Sequence, residues 1–112
     1  MAERAEQAEQ AAYYPGIKVV IYPYDAGCQV TPGHALVSPG TEVAFRNLTA
    51  GLVTLMFPDE GLFGEQIVRI EARGTEYRTV GGVEPGFYPY QAHCDNEATF
   101  ALGGSGPGMI VD

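Results

Sequence analysis

Two cysteines, two histidines and a late methionine are the residues of this 112-residue chain best suited to hold a soft metal or to act as nucleophiles. His93 and Cys94 stand side by side at the end of Gly86-Phe-Tyr-Pro-Tyr-Gln-Ala-His-Cys94, and a Gly-rich run at 103–108 leads into Met109. Copper that cycles between oxidation states asks for two imidazoles and a thiolate in a near-planar set, with a weak axial thioether. Neighbouring residues of a strand point to opposite faces, so His93 and Cys94 could share one ion only across a bulge. A cysteine hydrolase needs an activated thiolate, an adjacent base and an orienting group. No such set stands out, and the scattered carboxylates offer no pair for acid–base work, so the chain is not expected to be an enzyme. The two cysteines admit a single intramolecular pairing; the other reading is two free buried thiols in a reducing compartment. His34 or His93 with Asp95 or Glu97 would make at most a weak surface site, against the ordinary reading of both as surface histidines.

The elements that position these residues read as strands. Ile17–Tyr24 is β-branched and aromatic, and Pro23, which cannot donate to a ladder, belongs at an edge. A Gly-and-Cys loop follows, then a short strand at Ala35–Val37 and a turn at Pro39-Gly40. Thr41–Asn47 alternates, with Val43 and Phe45 on one face and Glu42, Ala44 and Arg46 on the other. Leu52–Phe57, Gln66–Ala72, Thr75–Val80, Phe87–Cys94 and Met109–Val111 supply further strands, and Asp95–Glu97 supplies a turn. Along 87–94 the period of two puts Tyr88, Tyr90, Ala92 and Cys94 on one face and Phe87, Pro89, Gln91 and His93 on the other. Seven or eight short strands at this spacing make an all-β sandwich or barrel. Residues 15–112 form one domain behind a flexible or helical segment, 1–14.

Composition agrees: 15 Gly, 8 Pro and 7 Tyr suit short strands joined by turns. Six Lys and Arg against fourteen Asp and Glu leave a formal charge of −8, which repels phosphate backbones and anionic membrane surfaces and excludes nucleic acid as the expected partner. No apolar run approaches the roughly 18 residues of a membrane span, and no secretory signal pattern is seen. Two features suggest an interaction patch: Leu62 and Phe63 between glycines in the 57–64 loop, and Tyr22 and Tyr24 on the first strand. Leu62 and Phe63 would otherwise plug the end of the sandwich. Asn47-Leu-Thr49 matches a glycosylation acceptor, a pattern common by chance.

Three segments, Val30-Thr-Pro32 through Val37 to Pro39-Gly40-Thr41, Val43-Ala-Phe-Arg-Asn47, and Gly86-Phe-Tyr-Pro-Tyr90 with Gly108-Met-Ile-Val111, together resemble the cupredoxin family over residues 17–112. The resemblance implies a Greek-key sandwich and registers for four copper ligands. The first imidazole falls near Leu52 or Val53, the thiolate at Ala92 and the axial thioether at Met109. The second imidazole would follow within Asp95–Phe100, where there is none. By the family's topology Cys28 runs near the same end as the closing strands, which implies a Cys28–Cys94 disulfide. The expected protein is therefore a binding, assembly or structural module without cofactor, periplasmic or extracellular. It would partner another protein or a second copy of itself. The alternative is a copper-binding or electron-transfer protein with an unusual set drawn from His93, Cys94 and Met109, possibly with His34.

Overall fold

The computed structural model describes residues 16–25, 27–95 and 106–112, and the backbone of 99–102. Among the described residues eleven strands form in the order β1 (Ile17–Tyr24), β2 (Gly27–Thr31), β3 (His34–Val37), β4 (Glu42–Asn47), β5 (Val53–Met56), β6 (Ile67–Ile70), β7 (Thr75–Thr79), β8 (Gly86–Pro89), β9 (Gln91–Cys94), β10 (Thr99–Leu102) and β11 (Gly108–Val111). An eight-stranded sheet runs β6-β5-β9-β10-β2-β1-β4-β7, and a three-stranded sheet runs β3-β11-β8. The all-β sandwich expected from the sequence is present. The expected 1–14 segment lies outside the described residues.

Three strands exceed the sequence reading. The segment read as a Gly-and-Cys loop is β2, paired with β1 from Val20↔Thr31 to Tyr24↔Gly27. Asp25, at φ 52°, opens the hairpin turn between them, a left-handed position that Asp accepts more readily than most residues. The run 87–94 is two strands: β8 belongs to the small sheet and β9 to the large one, with Tyr90 at the crossing. Its face assignment nevertheless holds, because a chain stepping from one layer to the other keeps the same side turned to the core. Tyr90, Ala92 and Cys94 are buried, whereas Phe87, Pro89 and Gln91 are exposed. Third, β10 pairs with β9 through its first half and with β2 through its second.

The inward residues of both sheets make one core, with Val19, Ile21, Val43, Phe45, Val53, Leu55, Val68 and Ile70 from the large sheet and Ala35, Val37, Met109 and Val111 from the small one. Ala44 departs from strict alternation. It is buried although it points to the outer face, because its register partners are the longer Lys18 and Tyr77. Pro23 lies past the stretch of β1 that pairs with β4, which ends at Ile21↔Asn47. Ile21 accepts from the Leu48 amide on that side; by the period of two, residue 23 turns its backbone the same way, and proline removes the N–H that would face the open edge. Pro39-Gly40 makes its expected turn, with the Thr41 amide donating to the Ser38 carbonyl and Gly40 at φ 90°.

The end strands of the large sheet, β6 and β7, are consecutive and lie in contact, so the sheet curls until its two edges meet. A buried side chain crosses this seam. Asn47, at the end of β4, donates from Nδ2 toward the carbonyls of Gly51 (2.8 Å), Ile70 (2.9 Å) and Glu71 (3.1 Å). Its Oδ1 accepts from the Thr49 amide at 2.8 Å and the Thr49 hydroxyl at 2.7 Å. Asn47 is fully buried and both functions of its amide are engaged, so the Asn47-Leu-Thr49 motif is a clasp and not a glycan acceptor in the folded protein. Asn47→Ala removes the amide donor from the buried Ile70 carbonyl at the end of β6 and leaves the Glu71 carbonyl with the Gly74 amide alone. The expected cost is about 3 kcal/mol, read as a fall in thermal midpoint of roughly 15 °C by calorimetry.

Candidate functional site

The end of the sandwich where β5, β9 and β2 converge holds the sulfur chemistry. Cys28 on β2 and Cys94 on β9 form a disulfide, with Cα atoms 6.5 Å apart. Both are fully buried. Neighbouring strands lie about 4.8 Å apart, so two strands flanking a third would normally stand about 10 Å apart. The 6.5 Å separation means that β2 and β9 draw together at the cystine and diverge beyond it, with β10 in the opening.

Around the cystine the inward positions are apolar. Val53 on β5 lies opposite Cys94 and Leu55 opposite Ala92, and all four are buried. His93, one residue from Cys94, turns to the outer side, where its Nδ1 lies 3.2 Å from Oδ1 of the half-exposed Asp95. His34 sits on the outer face of the other sheet, its ring 5.0 Å from that of Phe87. Met109 is buried on β11. The sequence-derived candidates are thus separated: Cys94 in the disulfide, Met109 in the core, His93 and His34 on the outer faces of different sheets. Among the described residues no group of three His, Cys, Asp or Glu side chains is placed to hold a metal ion.

The Tyr90 crossing adds a feature without a sequence signal. Its ring packs at 5.0 Å from Phe57 and 6.4 Å from Phe45, and Phe63 meets both of those phenylalanines edge-on. Among the described residues the buried Tyr90 hydroxyl has no hydrogen-bond partner. Burial among apolar rings pushes its ionisation well above the ordinary tyrosine range.

The expected interaction residues divide. Leu62 and Phe63 are 1% and 7% exposed and belong to the core, so the plug reading is the one realised. The loop is drawn inward by the Gly81 amide, which donates to the Leu62 carbonyl at 2.7 Å. A Cβ at Gly81 would run into the Gly61 carbonyl, so glycine is what lets these two backbones meet. Tyr22 and Tyr24 do share the outer face of β1, with ring centroids 6.4 Å apart and the Tyr22 hydroxyl donating to Gln29. The sequence reading missed the exposed apolar residues of the small sheet, Leu36, Phe87 and Ile110. Two of them lie in strands too short for alternation to declare a face.

No family model matches the sequence, and no characterised protein matches it in a search by sequence. Solved structures do match. Over 87% of this chain and 82% of the other, the fold superposes on the copper(I) form of a methionine-to-alanine mutant of amicyanin with a TM-score of 0.56 at 19% identity. The reduced copper(I) form of a proline-to-glycine mutant of amicyanin at pH 4 matches with a TM-score of 0.57 at 19% identity, over 88% and 83% of the two chains. The reduced state of a proline-to-phenylalanine mutant gives 0.56 at 17% identity, over 88% and 84%. The fold is cupredoxin-like.

A cupredoxin fold raises the question of copper, and the residues present do not fit it. The registers that the resemblance assigned to the first imidazole and the thiolate hold buried Val53, or its neighbour Leu52, and buried Ala92. The sequence holds no histidine in 95–100. Both sulfurs that might substitute are spent in the disulfide. Met109 alone keeps its register, and a thioether buried in the hydrophobic core is an ordinary core residue.

Two outcomes follow. The disulfide closes a sequence separation of 66 residues, for which the chain-entropy model gives about 4 kcal/mol of stabilisation. Reduction, or Cys28→Ala with Cys94→Ala, therefore lowers the denaturant midpoint markedly; equal midpoints with and without reductant would contradict this. Tyr90→Phe removes an unpaired buried hydroxyl and is expected to raise stability by about 1 kcal/mol. The pH sign follows from the raised ionisation. Above about pH 10 the unfolded chain sheds a proton that folded Tyr90 retains, so stability falls by up to about 1.4 kcal/mol per pH unit. Denaturation at pH 10–11 should show that slope reduced by one proton in Tyr90→Phe.

Proposed function

We propose that this chain is a copper-free, cupredoxin-like module of an extracytoplasmic compartment, working by binding or assembling with other proteins. The supporting observation is the Cys28–Cys94 disulfide, which removes both thiols from metal chemistry and stands beside Ala92, the register of the copper thiolate. Disulfides form and persist in oxidising compartments, which supports a periplasmic or extracellular site. No helix of the described residues is long and apolar enough to cross a membrane. The module is not an enzyme on this reading: both cysteines are held in the disulfide, so neither is free to act as a nucleophile, and His93 beside Cys94 turns to the outer side. Net charge of −8 favours protein partners over nucleic acid.

Native mass spectrometry of protein purified without reductant, after exposure to copper(II) and to copper(I), tests the reading. The expected result is a mass two hydrogens below the reduced formula, no stoichiometric copper adduct and no thiolate-to-copper absorption band. A full hydrogen count with one bound copper would overturn it and return the chain to electron transfer or copper handling.

A further inference from the structure

The outer face of the three-stranded sheet carries a row that the core does not use. Leu36 on β3, Ile110 on β11 and Phe87 on β8 are register partners across all three strands. They are 60%, 38% and 50% exposed. The Phe87 ring lies over Gly108, where a Cβ would collide with it, and meets His34 edge-on. This covering of a glycine by an aromatic ring keeps Phe87 flat on the sheet, so the row forms a level surface.

Charge around the row is one-sided. Residues 31–41, 80–90 and 106–112, which build this sheet and its connections, contain no Lys or Arg; their charged residues are Glu84 and Asp112. Both carboxylates are exposed, and Asp112 accepts from the Ser38 hydroxyl. The described cations, Lys18, Arg46, Arg69, Arg73 and Arg78, all belong to the large sheet and its turns.

We propose that this face docks a cationic amphipathic helix of a partner protein, its apolar stripe on Leu36, Ile110 and Phe87 and its Lys or Arg side chains toward Glu84 and Asp112. The proposal deepens the protein-binding reading and rests on it. Three strands span about 10 Å between outer axes, and four residues of strand run about 13 Å. A helix laid along the row, across the strands, meets it over about 10 Å, roughly two turns, and its 10–12 Å width fits within the strand length. A second copy fits less well. Symmetric pairing would set Glu84 and Asp112 against their like, and three half-exposed side chains per copy fall short of the roughly 1,200–2,000 Å² that stable pairs bury.

The test is an amide-shift titration of the full, oxidised chain by NMR. The probe is an 18-residue amphipathic peptide of leucine and lysine; a counterpart with glutamate in place of lysine is the control. Saturable shifts confined to β3, β8 and β11 are expected with the lysine peptide only. Affinity should fall at least tenfold in Leu36→Lys and in Phe87→Ser, whose thermal midpoints are checked first, and should weaken with added salt. Absence of saturable shifts, shifts centred on the β5–β9 end, or equal binding of the glutamate peptide would each overturn the proposal. So would a concentration-dependent dimer that protects these amides, or their joint movement with amides of residues 1–14, which would assign the face to the chain itself. Copper is added to the same sample by the mass measurement above, so failure of the docking face and failure of the copper-free reading are scored separately.

Discussion

The large sheet depends on closing two seams, and a different bond holds each. One seam lies between the β2-β1-β4-β7 half and the β6-β5-β9 half, whose strand ladders are continued into one another by β10. β10 has four residues and divides them, two registered on β9 and two on β2. A ladder that short is a weak hinge, and the Cys28–Cys94 bond joins the same two flanking strands covalently where β10 begins to part them. The other seam runs between β6 and β7. There the Asn47 amide reaches from the end of β4 to the carbonyls of Ile70 and Glu71 at the end of β6. Between these ties the apolar interior is enclosed on both sides.

The two ties work through different physics. The cystine acts largely on the unfolded chain, whose freedom it restricts over 66 residues of sequence, and the core around it need only be apolar. The Asn47 clasp acts on the folded state: the Ile70 carbonyl is buried at a strand end and needs a donor, and the Asn47 amide supplies it while also reaching the Glu71 carbonyl. Its short partner Thr49 completes the arrangement: its amide donates to Oδ1, and its hydroxyl has Oδ1 and the Gly51 carbonyl as alternative acceptors. The sandwich is thus closed with Val53, Ala92 and a cystine at one end, because both seams are held by the protein's own bonds.

What could be read from the sequence was governed by period and by length. Ile17–Tyr24 and Glu42–Asn47 were legible because eight and six residues are enough for alternation and β-branching to declare a strand. The inward set Tyr90, Ala92 and Cys94 was legible for the same reason, although the strand break at Tyr90 was not: a crossing between sheets preserves the side that faces the core. β2 was hidden because Gly27-Cys-Gln-Val-Thr31 has little intrinsic preference and becomes a strand by pairing with β1. Asn47 had a local motif that pointed elsewhere, since nothing in Asn-Leu-Thr reveals that Ile70 and Glu71 lie in reach. Leu62 and Phe63 admit both a patch and a plug reading from sequence, and their burial, with the Gly61–Gly81 approach that draws the loop inward, makes them the plug.

The placement of the exposed apolar row follows from the same mechanics. β3, β11 and β8 carry neither tie, and their inward residues, Ala35, Val37, Met109 and Val111, already supply what the core needs from that layer. The outer positions of this sheet are consequently the ones whose identity the fold constrains least, apart from the aromatic cover over Gly108. On a chain rich in carboxylates, polar or charged side chains would be the default there. Leu36, Phe87 and Ile110 stand instead in one register row, while the cystine end of the molecule is filled with buried side chains.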